Sequence, residues 1–223
     1  MKFKALIFDV DGTLTDTNQV HADNWKNAFE ENGLFVDYEE VKKLVGKGGD
    51  NLIPDILGYK PSKEIEKNLT DAKGEEFKKS SKNEKFELFP KAVEILEKLK
   101  GSEVKTAIAT SASQEDFKII TDNVDVNFKK LVDVLITAED VKNSKPDPDL
   151  IHATLNKLNL KPEECLMIGD TAFDIESAKK AGVKAIGVLT GFHTKKELEK
   201  AGAINTYRDI EEVYENIDKV INY

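Results

Sequence analysis

Asp9 and Asp11 stand at the end of the apolar run "KALIFDV", separated only by Val10, and Gly12 and Thr13 follow at once. Side chains alternate along an extended chain, so the two carboxylates share a direction while Val10 turns back toward the core. Gly12 permits a sharp exit from the strand, and Thr13 is expected to hold that exit through a local hydrogen bond. Two carboxylates this close repel unless a cation lies beside them. Carboxylate and carbonyl oxygens suit magnesium, although an ordinary Asx-type turn ending a strand would use the same residues.

Three later segments have the same character. "AIATSAS" ends in Thr110 and Ser111, hydroxyls and amides at a strand-to-helix turn, where anions bind and where helix capping is an equal explanation. "NSKPDP" sets Lys145 before Pro146, a position unfavourable to regular helix, and a lone loop lysine is ordinarily solvated. "MIGDTAFDIESAKKAG" closes a buried run in Gly169 and Asp170, with Asp174 one helical turn further on and facing the same way. Helix capping accounts for either aspartate as well.

Such groups need strands to carry them. "KALIFDV", "VKTAIAT", "VDVLIT", "CLMIGD" and "KAIGVL" read as buried strands. Between them "PKAVEILEKLKGS", "DLIHATLNKLNL" and "DIESAKKAG" place apolar residues at helical spacing, and Gly101 and Gly182 stop two of these helices. The alternation predicts an α/β fold, a doubly wound parallel sheet with helices on both faces, and ligands at the carboxyl ends of its strands. Residues 18–85 break the pattern with four helical segments and no strand, the first capped by Asp16 or Thr17. The expected organisation is an α/β core of residues 1–16 and 87–223, with a helical lid of residues 17–86 inserted above the first strand.

Composition narrows the function further. The chain has 223 residues, 39% hydrophobic and 34% charged, with a formal net charge of −9. Those values suit a soluble globular protein and argue against a nucleic-acid partner, which needs a basic face. No run is long enough to span a bilayer. Cys165 is the single cysteine, so no internal disulfide can form; a reducing cytoplasm is the expected compartment, and the thiol is expected to be buried. Arg208 is the only arginine. Any anion bound elsewhere must therefore be held by lysine, hydroxyl or amide.

In this order, "DVDGT", Thr110, Lys145 and "GDTAFD" resemble the four motifs of the haloacid dehalogenase-like superfamily, and the helical insert resembles its first-position cap. "DGTLTDTNQVHADNW", "GKGGDNLIPDILG" and "TGFHTKKELEKAGA" are further similar to its phosphoglycolate phosphatase-like and beta-phosphoglucomutase-like branch. The resemblance implies a phosphatase with Asp9 as nucleophile, Asp11 as general acid and base, and Thr110 and Lys145 on the transferring group. It implies Mg²⁺ on Asp9, the Asp11 main-chain carbonyl and Asp170, with Asp174 orienting Lys145 or a metal-bound water. Gly12, Ser111, His21 and Lys47 are further candidates for binding the phosphate or the substrate.

The same resemblance carries alternatives. Dehalogenases of the superfamily lack an aspartate where Asp11 stands. A phosphonate-cleaving relative would need a cap lysine, for which Lys47 and Lys73 are available. A sugar-phosphate mutase would need a second phosphate seat in the cap, where "GKGGDN" offers Lys47 and no arginine. A catalytically silent binding protein on the same fold would lack one of the motif acids. The expected partner is a small phosphorylated metabolite, of anionic character because several lysines can face the cleft; the oligomeric state is not legible.

Overall fold

Every residue of the first strand, Ala5–Phe8 (β1), is buried, because further strands flank it on both edges and helices cover both its faces. The computed structural model describes residues 2–223. The other strands are β2 (Thr15–Asp16), β3 (Glu87–Leu88), β4 (Lys105–Ala109), β5 (Val134–Ile136), β6 (Cys165–Gly169), β7 (Lys184–Val188) and β8 (Thr206–Tyr207). Six of them form one parallel sheet in the order β5-β4-β1-β6-β7-β8.

Alternation along these strands splits the interior in two. Leu6, Phe8, Val10, Ile108, Leu166 and Ile168 enter one apolar cluster, while Ala5, Ile7, Ala107, Cys165 and Met167 enter the other. Val10 therefore turns into the core, as its position between the aspartates requires. Each fully buried Leu, Ile or Phe is worth about 1.5–3 kcal/mol; Ile7→Ala, with no exposure to lose, should cost about 2–5 kcal/mol.

Four helices follow β2: α1 (Asn18–Glu31), α2 (Tyr38–Leu44), α3 (Gly49–Leu57) and α4 (Lys63–Asn83). They surround a third cluster of Trp25, Phe29, Val41, Leu52, Ile53 and Leu69. Beyond β3 come α5 (Ala92–Lys100), α6 (Gln114–Val124), α7 (Phe128–Leu131), α8 (Asp149–Leu158), α9 (Ala172–Lys180), α10 (Lys195–Ala201), α11 (Ile210–Glu215) and α12 (Ile217–Val220). Helices α5, α6, α7, α11 and α12 cover one face of the sheet, and α8, α9 and α10 the other. This is the doubly wound arrangement. Among the described residues no helix is long and apolar enough to cross a membrane.

Two features depart from the sequence reading. The strandless stretch is bounded by strands: Thr15 pairs with Leu88 and Asp16 with Glu87 in an antiparallel ribbon, so both chain crossings between α1–α4 and the sheet run side by side. β8 adds a sixth strand to the sheet. Each of these strands is two residues long, too short to show a period, and each is made by pairing with chain distant in sequence.

Candidate active site

Lys145 is wholly buried, contrary to the ordinary fate of a loop lysine. Its Nζ lies 2.7 Å from Asp9 Oδ1 and 2.7 Å from Asp174 Oδ1. Asp9 is delivered by the end of β1 and Asp174 by the first turn of α9. Asp174 divides its oxygens between two tasks. Oδ2 accepts from the Thr171 amide at 3.0 Å and the Thr171 hydroxyl at 2.6 Å, closing a capping box, and this leaves Oδ1 for the lysine.

Asp170, also without exposure, follows β6 directly. The Thr13 hydroxyl donates to its Oδ1 at 3.0 Å and the Asn18 amide to its Oδ2 at 2.8 Å. Thr13 was expected to bond locally. It instead spans the gap between β1 and β6, because these strands are neighbours in the sheet. Gly12 has a φ of +75°, and a Cβ there would lie 2.1 Å from Asn18 Nδ2 and 2.2 Å from Asp170 Oδ2. It stands against Asp170 and is not among the residues lining the cleft.

Asp9, Asp170 and Asp174 each bring an oxygen to within 4.8 Å of the others, a cluster able to hold a divalent cation. Burial pushes the Asp9 carboxyl well above the usual range, and the neighbouring acids add to that push against the opposing Lys145. Burial, then Asp174, raises Asp170 to about 7. Three buried carboxylates thus face one buried ammonium. The residual negative charge and the oxygen donors fit a hard cation, which Asp9, Asp170 and Asp174 could hold.

Asp11 lines the same cleft as Asp9 but is not part of this cluster. Its Oδ1 accepts from the Thr17 hydroxyl and lies 2.8 Å from His21 Nε2. Burial pushes this carboxyl up, yet His21, Thr17 and the more distant Lys73 outweigh it and hold the group at about 2. Thr17 does occupy the N-cap of α1, but its hydroxyl serves Asp11 and caps nothing. The His21 ring stacks on Phe77 at 4.6 Å, and Lys73 Nζ lies 4.6 Å from the same Phe77 ring while contacting Asp116 Oδ2 at 2.5 Å. Helix α4 is thereby tied to the start of α6.

Thr110, following β4, accepts the Ala112 amide on its hydroxyl at 3.0 Å, and Ser111 Oγ is buried with no hydrogen-bond partner. Both line a cleft of about 690 Å³ together with Asp9, Asp11, His21 and Lys47. The Lys47 ammonium is bound to Asp55 and sits 4.6 Å from the Phe173 ring, so it reaches the cleft already paired. The "GKGGDN" loop docks on the segment holding Lys145. Ser144 Oγ accepts from the Gly48 amide at 3.0 Å, Asp50 Oδ2 accepts from the Ser144 amide at 3.0 Å, and Asn51 Nδ2 donates to the Ser144 carbonyl at 3.1 Å.

Asn18, the pairing of Lys73 with Asp116, and that of Asp50 with Ser144 were not legible in the sequence, where Lys73 figured only as an available cap lysine. No local pattern marks them, since every partner lies at least 43 residues away.

Residues 6–188 match the family model described as haloacid dehalogenase-like hydrolase. A phosphorylated carbohydrates phosphatase of Thermotoga maritima is 31% identical over 209 residues, spanning 90% of this chain and 92% of that protein. A hydrolase from Pseudomonas syringae superposes with a TM-score of 0.90 at 28% identity, over 97% of this chain and 99% of that one. CbbY from Rhodobacter sphaeroides in complex with xylulose-1,5-bisphosphate gives a TM-score of 0.80 at 27% identity, over 95% of this chain and 96% of that one.

Proposed function

The chain belongs to the haloacid dehalogenase-like hydrolase family, and we propose that it is a magnesium-dependent phosphatase acting on a small phosphate monoester through a phosphorylated Asp9. One observation carries this reading. Asp9, Lys145, Asp170 and Asp174 come from three separate stretches of chain and converge, buried, at one end of the parallel sheet. Burying this much charge contributes little to stability even when it is paired, so the convergence favours a functional role. The relatives named for phosphorylated carbohydrates and for a bound sugar bisphosphate support a small phosphorylated metabolite as substrate.

Enzymes accelerate phosphate monoester hydrolysis by up to about 10²¹-fold. Splitting the reaction in two eases it. A carboxylate oxygen of Asp9 attacks phosphorus as the ester P–O bond breaks, and the departing oxygen takes a proton from Asp11, which His21 adjoins. Asp11 then removes a proton from a water that attacks the same phosphorus, releasing inorganic phosphate and restoring Asp9. Thr110 and the unpartnered hydroxyl of Ser111, which line the cleft, hold the transferring oxygens as charge redistributes, and Lys145, set against Asp9, supplies a positive charge beside them. A magnesium ion on Asp9 and Asp170, with the Asp11 carbonyl, would offset the charge of both phosphate and nucleophile.

Helices α1–α4 are read as a cap, residues 17–86, over a core of 1–16 and 87–223; their separate apolar cluster and the paired β2–β3 crossings support that division. A silent binding scaffold is not favoured, because no motif carboxylate is missing and Lys145 is aligned with two of them. The test is phosphate release from 4-nitrophenyl phosphate with Mg²⁺, abolished by chelation and by Asp9→Asn. A magnesium-independent rate, or full activity in Asp9→Asn, contradicts the proposal.

A further inference from the structure

We infer that the cleft selects monophosphates whose leaving group carries no second anion, because three of the four lysines reaching it are neutralised by carboxylates of the chain itself and unpaired acids outnumber the fourth. The inference rests on the hydrolase reading above and specifies its substrate. The sequence suggested the opposite preference, from the abundance of lysine.

Four lysines line the cleft: Lys47, Lys73, Lys78 and Lys142. Lys47 is bound to Asp55. Lys73 contacts Asp116 at 2.5 Å with both side chains about nine-tenths buried, and Lys78 contacts Glu115 at 2.7 Å and Glu75 at 3.1 Å. Only Lys142 has no carboxylate partner among the described residues. Against it, Asp50, Glu66 and Glu139 line the same cleft with no cation paired to any of them. Asp50 accepts hydrogen bonds from Ser144, and Glu139 accepts one from the Gln114 amide; both remain net negative.

Beyond the phosphate seat, therefore, fixed negative charge exceeds positive. A second phosphate or a carboxylate on the leaving group would meet uncompensated like charge, or would have to displace a carboxylate already bound to lysine. An uncharged polyol meets neither obstacle. The backbone of Gly46, Gly48 and Gly49 borders the cleft without side chains, and Thr70 and Ser113 offer hydroxyls there. Arg208, the one side chain suited to bidentate phosphate binding, is exposed and bound to Asp209, and it does not line the cleft. A mutase handling bisphosphates would meet the same lack of a second seat.

The experiment compares kcat/KM, with Mg²⁺ and the full chain, within matched pairs: fructose 6-phosphate against fructose 1,6-bisphosphate, and glycerol 3-phosphate against 3-phosphoglycerate. The ester of each pair whose only anionic group is its phosphate should be favoured by about tenfold or more, the size of one modest unfavourable charge contact. Glu115→Gln removes one of the two carboxylates on Lys78, leaving Glu75, and by making the cleft less negative should narrow both ratios several-fold. Asp116→Asn should do the same through Lys73; the Glu115 variant keeps the test decisive should the buried change prevent folding. Calorimetric binding of the same esters to Asp9→Asn reads the preference without turnover. Failure of every ester to turn over, with the binding preference intact, overturns the hydrolase reading and upholds this inference. Equal or better binding of the esters that carry a second anionic group, or ratios unmoved in Glu115→Gln, overturns the inference alone.

Discussion

His21 Nε2 lies 2.8 Å from Asp11 Oδ1, so the first helix after β1 returns a side chain onto one of the two aspartates at the end of that strand. Thr17 adds a hydroxyl from the residue preceding the same helix. His21 and Thr17 hold the Asp11 carboxyl at about 2 against the upward push of burial, so in the proposed reaction the proton that Asp11 delivers is one it shares with His21.

His21→Asn should therefore lower kcat at pH 7 by about 10- to 100-fold, within the range of general acid catalysis. The Asp11 pKa then rises from about 2, because burial pushes it upward and the chief opposing partner is gone. More of the variant carries its own proton in acid, so the loss should be smaller at pH 5. An equal loss at both pH values contradicts a role for His21 in proton handling.

Magnesium should stabilise the protein in a pH-dependent way. Asp170 has a folded pKa raised to about 7, above the ordinary carboxylate value near 3.9, so the folded state binds its proton more tightly than the unfolded state does. Without metal, stability should fall as pH climbs between those two values and level off above about 7. A cation prefers the ionised carboxylate. The increase in Tm on adding Mg²⁺ should reach several degrees at pH 8 and nearly vanish at pH 5; scanning calorimetry against a chelated control measures it, and a larger increase at pH 5 would refute the assignment.

Lys145→Met removes the only cation that contacts the cluster of three buried acids among the described residues. Leaving them uncompensated should cost about 3–5 kcal/mol at pH 8 in chelator. Acid should recover part of the loss, because protonation relieves Asp9 and Asp170. Urea unfolding at both pH values provides the comparison, and a pH-independent loss argues against charge as the cause.

Asp50→Ala removes the charged part of the clip between the "GKGGDN" loop and Ser144 and leaves the Gly48 and Asn51 hydrogen bonds. Hydrogen bonds to charged groups are worth about 1.5–3 kcal/mol. Freed of this anchor, the segment carrying Lys145 should lose hydrogen-exchange protection, and kcat/KM should fall about tenfold. Unchanged protection at residues 144–147 would separate the loop from the positioning of the lysine.

The sequence reading recovers what burial imprints on local pattern. β1, β4, β6 and β7 are apolar runs because helices cover both faces of the sheet, and each run leads into polar residues where the chain leaves the sheet. Asp9, Thr110 and Asp170 were visible for that reason, and Asp174 by its helical spacing. What pattern does not carry is the choice of partner. Thr13 reaches Asp170, which lies 157 residues away, and Lys73 finds Asp116 across 43 residues. Lys47 looked like a free phosphate contact until the fold placed Asp55 beside it. In so lysine-rich a chain, composition reports how many cations exist and only packing reports which are already used.

The central claim is that phosphate passes through Asp9. Rapid acid quenching during turnover of a phosphate monoester, borohydride reduction of any acyl phosphate to homoserine, and peptide mass spectrometry test it directly. The account predicts homoserine at position 9, dependent on substrate and Mg²⁺ and absent from Asp9→Asn. An unmodified Asp9 under conditions of continuing turnover and demonstrated trapping, or modification of a different carboxylate, would contradict it.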